Sequence, residues 1–148
     1  MRFWDASALV PLLFSERWSE QARKLLREDA AMVVWWGSRV ECVSALRRRE
    51  RESALDAAGA RQAVALLDAL ASAWSEVLPS DALRAQAERA LAVHPLRAPD
   101  ALQLAAAFTW RREPARSTGL VCLDERLRDA ASREGFTVLP AEAGGGPT

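Results

Sequence analysis

The chain has one histidine, His94, two cysteines and one lysine, Lys24, among its 148 residues. One histidine is too few for a histidine-built metal centre. Cys42 and Cys122 lie far apart, each inside an apolar stretch. They read as small buried hydrophobes in a reducing compartment, not as a disulfide framework or a zinc site. Every other basic residue is an arginine, a type suited to bidentate contact with phosphate or carboxylate, although a GC-rich genome produces the same bias. Net charge is missing too: 20 basic residues balance 20 acidic ones. No global field then draws the chain to nucleic acid, and any such binding has to rest on local patches. No window approaches about eighteen uninterrupted apolar residues, and the N-terminus lacks a basic segment ahead of an apolar core. The expectation is a cytoplasmic protein with no membrane partner.

What is present is a globular balance, half apolar and 27% charged, in a length that suits one domain with a buried core. Along the chain, apolar runs alternate with helical periodicity. MRFWD, AMVVWW (31–36), SEVLP (75–79), GLVCL and FTVLP read as strands. RWSEQARKLLRED, the segment from Ser38 into RRRERE, residues 54–74, SDALRAQAERALAV, DALQLAAAFTWRR and DERLRDAASREG read as helices, the last closed by Gly135. Pro11 marks a helix start or break near the N-terminus. Strands separated by helices predict an α/β fold, a three-layer α/β/α sandwich around a parallel sheet. Continuously apolar VVWW and LVCL suit strands covered on both faces. The domain is expected over 1–140, with AEAGGGPT (141–148) as a flexible tail.

Four acids fall at equivalent points in that order. Asp5 ends the first strand, Glu41 sits in the first turn of the helix after the second, Asp100 opens DALQLAAA, and Asp124 directly follows GLVCL. In a parallel sheet, strand C-termini and the following helix N-termini share one edge, where ligands bind. Each position also has a plain structural reading. SRVE (38–41) is a capping box by sequence; Asp100 after Pro99 suits a helix dipole; Asp124 and Asp5 can be N-caps. Asp81 in SDAL shows how common the pattern is. Jointly the four mean more, because clustered carboxylates repel one another and raise one another's pKa values. A hard divalent cation would neutralise them, and magnesium favours such oxygen ligands.

FWDASALVPLLFSE, RVECVSALRRR, LRAPDALQLAAA and LVCLDERLRDAASREGFTVL, in this order and spacing, resemble a PIN-domain ribonuclease. The similarity is greatest to VapC-type toxins of bacterial toxin–antitoxin pairs and runs from residue 2 to about 140. The resemblance implies a central first strand and a Mg²⁺- or Mn²⁺-dependent endonuclease that cuts RNA, with a homodimer and a cognate antitoxin as partners. The family's acids match Asp5, Glu41, Asp100 and Asp124. Ser7 matches its usual hydroxyl residue, and Arg97 a frequent arginine before the third acid. Asp81 has no counterpart. Cys122 stands where the family often has Ser or Thr, and a thiol is a weaker donor, so support for Asp124 or a bound water is expected to be weaker.

The expected chemistry is phosphodiester hydrolysis, with Asp5, Asp100 and Asp124 holding the ion. Glu41 either joins as a further ligand or orients water. Arg39, Arg47, Arg48, Arg49 and Arg51 on or beside the Glu41 helix, and Arg111, Arg112 and Arg116 before the fourth strand, are candidates for phosphate contact; Arg39 and Arg97 lead the substrate-binding set. The 47–51 run reads equally as a solvated surface of intrahelical pairs. Of six tryptophans, Trp4, Trp35 and Trp36 lie in strand runs and are expected in the core. His94 is expected in a loop. The competing reading is a PIN-like RNA- or protein-binding module without catalysis. A haloacid-dehalogenase phosphatase fails because position 7 is serine, and a phosphoacceptor receiver because no lysine follows a late strand.

Overall fold

Residues 2–4 (β1) run down the middle of a five-stranded sheet in the computed structural model, which describes residues 1–111 and 118–141. Arg112, Arg116 and the expected tail from 142 onward lie outside those residues. The strands are β1 (Arg2–Trp4), β2 (Met32–Trp35), β3 (Ser75–Val77), β4 (Gly119–Val121) and β5 (Thr137–Leu139), in the order β3-β2-β1-β4-β5. All four pairings are parallel, with Phe3 opposite both Val33 and Leu120. The helices are α1 (Ala6–Leu9), α2 (Ser19–Glu28), α3 (Ser38–Arg51), α4 (Ala57–Ala73), α5 (Asp81–Val93), α6 (Ala98–Trp110) and α7 (Glu125–Arg133). Pro11 sits in a 3₁₀ turn that extends α1.

Strand side chains alternate between faces, and the core divides accordingly. Trp4, Met32, Val34 and Val121 pack against α1 to α4, while Phe3, Val33, Trp35 and Leu120 pack against α5 to α7. This is the three-layer sandwich that the sequence predicts. In α6, Ala101, Ala105, Ala106 and Ala107 are all fully buried. Such small side chains let the helix lie close to the sheet and its neighbours, which carries its first turn to the sheet edge.

The elements begin and end where local chemistry dictates. Asp56 caps α4 by accepting from the Gly59 N–H at 2.7 Å, so α4 starts at Ala57 and not at 54 as periodicity suggests. Ser80 caps α5 by accepting from the Leu83 N–H at 3.0 Å. Losing that cap in Ser80→Ala should cost about 1 kcal/mol, read as a lower urea midpoint with unchanged slope. Gly135 takes φ 95° after α7, the left-handed turn that glycine adopts without strain. Trp36 departs from expectation. It lies one residue beyond β2 and is 53% exposed, because its N–H pairs with the Val77 carbonyl at 3.0 Å while the chain turns into α3.

Candidate active site

The C-terminal ends of β1, β2 and β4 and the N-termini of α1, α3 and α7 meet at one edge, as a parallel sheet requires, and the first turn of α6, which follows α5 and not a strand, brings Asp100 to the same place. Asp5 leaves β1 there, buried at 3% exposure. Its Oδ2 accepts from the Ser7 N–H at 3.1 Å, from the Ser7 hydroxyl, and from the Cys122 thiol at 3.5 Å. It does cap α1, as one reading of the sequence has it. The Ser7 Oγ in turn accepts from the Leu123 N–H at 2.9 Å and the Asp124 N–H at 3.3 Å. One hydroxyl therefore joins the end of β1 to the end of β4.

Glu41 does not close the capping box suggested by SRVE. Gly37 takes the cap position, and Ser38 lies one residue inside the helix, fully buried. The side-chain amide of Gln103 donates to both the Ser38 hydroxyl (2.9 Å) and Glu41 Oε2. Gln103 thus draws the Glu41 carboxylate toward α6. Sequence reading passed over this residue. The signal was a lone polar side chain three residues after Asp100 in an otherwise apolar run, ALQLAAA.

Asp100 stands half-buried in the first turn of α6. Asp124 occupies the cap position of α7 without making a side-chain cap bond, and its Oδ2 is buried with no hydrogen-bond partner. Cys122 faces Asp5 and the Asp124 backbone carbonyl (3.5 Å).

The electrostatics tie the four acids together. Burial pushes the Asp5 carboxyl up to about 6 against the pull of its Ser7 bonds, and Asp100 pushes it the same way. Burial, then the charges of Asp5 and Asp100, against the Gln103 bond, raise Glu41 to about 7. Asp100 is raised by burial and then by Asp124, while Arg97 and Arg126 pull it down. Burial also pushes the Cys42 thiol up to about 12 and the Cys122 thiol upward. Both cysteines are buried, un-ionised and free of any disulfide, as the sequence indicates.

Uncompensated carboxylates with raised pKa values and an Asp124 oxygen without a hydrogen-bond partner are a donor set that a cation would neutralise. The hard oxygen donors suit Mg²⁺ or Mn²⁺. Among the described residues no three His, Cys, Asp or Glu side chains are arranged to hold an ion as they stand, since Asp5 turns to Ser7 and Glu41 to Gln103. That arrangement fits an ion that keeps several waters and takes only one or two carboxylates directly.

The arginines divide into engaged and unengaged groups. Arg39 is tied to Asp68 on α4 at 2.6 Å. Arg47 pairs with Glu50, and Arg49 pairs with Glu16 while stacking on Phe14. The reading of the 47–51 run as a surface of intrahelical pairs accounts for Arg47, whereas Arg49 makes a tertiary pair outside α3. Arg97 and Arg126 are exposed and carry no ion pair or hydrogen bond among the described residues, yet both act on Asp100. Arg126 went unnoticed in sequence because DERL reads first as a capped helix start. His94 is buried and bonded to Glu134 at 2.8 Å, a structural pair at the end of α5.

A single parallel sheet between helical layers, with its acids at the carboxyl edge, defines an α/β/α domain with an acidic crevice. A family model for the PIN domain matches residues 2–133, and the chain belongs to that family. Among solved structures it is similar to a chain of a toxin–antitoxin complex from Klebsiella pneumoniae, at 18% identity and a TM-score of 0.62, covering 92% of this chain and 95% of that one. It is also similar to VapC20 of Mycobacterium tuberculosis, a sarcin–ricin loop cleaving toxin, at 19% identity and a TM-score of 0.67, covering 92% and 96%. No curated protein sequence matches it significantly. No helix among the described residues is long and apolar enough to cross a membrane.

Proposed function

We propose that the chain is a metal-dependent endoribonuclease that hydrolyses RNA phosphodiester bonds, the toxin of a toxin–antitoxin pair. The carrying observation is that Asp5, Glu41, Asp100 and Asp124, from four separate segments, act electrostatically on one another at one sheet edge. Membership of the PIN family supports the reading, as do the two neighbours, one described as a toxin–antitoxin complex and the other as a sarcin–ricin loop cleaving toxin.

In this reading Asp5, Asp100 and Asp124 would hold Mg²⁺ or Mn²⁺, one or two of them directly and the others through waters on the ion. When bound, the ion supplies positive charge to the phosphate and acidifies a water. Glu41, held by Gln103 through Oε2, takes the proton of the attacking water at its other carboxylate oxygen. Ser7 fixes Asp5 and the Asp124 backbone relative to each other. Arg97 and Arg126 hold phosphates of the strand on either side of Asp100. The functional unit is a homodimer, and the antitoxin is a small protein that covers the acidic edge until it is removed.

Sequencing 5′ ends of cellular RNA after induced expression, with Asp100→Asn as control, tests the reading. New ends should appear at defined positions with the wild type only; identical profiles would overturn it. Arg97→Ala and Arg126→Ala should each weaken RNA binding and reduce its log–log salt slope by about one. Arg39→Ala should leave the slope unchanged. Filter binding across a salt series checks this.

A further inference from the structure

Beside the acidic crevice, toward the β3 edge, lies a cleft of about 410 Å³ that no step above uses. Its walls are Trp35, Pro79, Leu83 and Leu102, and Asp81 and Arg84 stand at its mouth. The size falls within the range of small-molecule sites, roughly 300–1,000 Å³, and is too small for a partner helix. It lies at the same carboxyl edge of the sheet as the acids: Trp35 ends β2 just before the turn into the Glu41 helix, and Pro79 follows β3. Leu102 belongs to α6, on a different side of that helix from Asp100.

The cleft is built around an indole. Trp35 lies across Gly37, where a Cβ would come within 2.5 Å of its Nε1. Gly37 has φ −73°, a conformation open to any residue. Its lack of a side chain therefore serves the placement of the ring and not the backbone. Trp36 meets Trp35 edge to face at 6.4 Å and leaves half its surface in solvent. An exposed tryptophan next to a second indole in an apolar cleft is the arrangement on which unstacked bases sit. At the mouth, Asp81 and Arg84 pair at 2.6 Å while both stay highly exposed. They offer an acceptor and a fork of donors to the edge of a base.

We propose that this cleft is a subsite for one unpaired nucleobase of the RNA, flanking the phosphate that is cut. It rests on the ribonuclease reading for its biological use, although base binding stands apart from cleavage. The base inserts between Trp35 and Leu102, Trp36 covers its neighbour, and Asp81 and Arg84 read its polar edge. The subsite makes cleavage selective for the base at one position.

The test titrates the full chain in EDTA with single-stranded hexamers of A, C and U. The readout is the Trp35 and Trp36 indole N–H resonances. At least one hexamer should shift both resonances saturably. Leu102→Phe, which fills the cleft, should weaken that hexamer about tenfold, the scale of one lost base stack. Exposed Arg84→Ala should narrow the difference between hexamers without unfolding the chain. Trp35 resonances that ignore every hexamer, or that respond equally in Leu102→Phe, would overturn the proposal. A chain that cuts RNA while its Trp35 stays silent loses only the subsite. One whose Trp35 responds but that cuts no RNA with any divalent cation loses only the nuclease reading.

Discussion

Asp5→Asn should abolish RNA cleavage and, without divalent ions, make the protein more stable than the wild type. Asparagine keeps the shape and can still accept from the Ser7 N–H that caps α1. It removes a negative charge that is fully buried and faces Asp100. A carboxyl raised from 3.8 to about 6 carries about 3 kcal/mol of unfavourable ionisation at neutral pH. Relief of part of that should raise the melting temperature by roughly 4–10 °C for a chain of this size. Cleavage should fall by about a thousandfold or more, because the anchoring charge of the cation is gone. Scanning calorimetry in EDTA and a cleavage assay with Mn²⁺ read the two halves. A less stable variant would mean that Asp5 is there to hold the fold. Added Mn²⁺ should stabilise the wild type and not the variant, since only a ligand bound by the native state shifts the transition.

The second large effect is a pH dependence of stability with an unusual sign. Unfolded, an aspartate or glutamate gives up its proton near pH 4; folded, Asp5 keeps it to about 6 and Glu41 to about 7. Between those limits the native state binds more protons, so stability rises as pH falls from about 7 to about 4 and is lost as pH climbs through the folded values. Asp100 adds in the same direction. Asp29 and Glu134, whose values are lowered, oppose it only in stronger acid, where their bonds to the N-terminus, His94 and Arg89 are broken. Burial alone would raise Glu134, but those bonds outweigh it. The expected gain from pH 8 to pH 5 is about 2–4 kcal/mol, with the Glu41 share discounted for its partial exposure. Urea midpoints at the two pH values measure it. Asp5→Asn should remove about half the gain, and saturating Mn²⁺ most of it. A flat or rising profile toward pH 8 in EDTA would show that the acids are not mutually destabilised.

The architecture was legible because period and punctuation agreed. Continuously apolar VVWW and LVCL read as strands covered on both faces, and their leading residues do form β2, as far as Trp35, and β4, as far as Val121. The shared edge of a parallel sheet then located Asp5, Glu41 and Asp124 without any contact being known, while Asp100, on a helix that follows another helix, was picked out by the family resemblance. What escaped were features decided by tertiary partners. SRVE has the letters of a capping box, yet Gln103, sixty-two positions away, captures both members. WW reads as strand throughout, but the sheet ends at Trp35 and the turn into α3 carries Trp36 outward. Arg39 and Arg97 looked alike as free cations until Asp68 on α4 claimed the first. Local pattern cannot see such competitors, because each comes from an element far along the chain.

Whether one ion is shared at this edge is read directly by anomalous diffraction from crystals grown with Mn²⁺. The expected result is a peak bordered by the carboxylates of Asp5, Asp100 and Asp124, lost in Asp100→Asn crystals grown the same way. No peak there, or a peak elsewhere with these carboxylates still bonded only to Ser7 and Gln103 or left unpartnered, would contradict it.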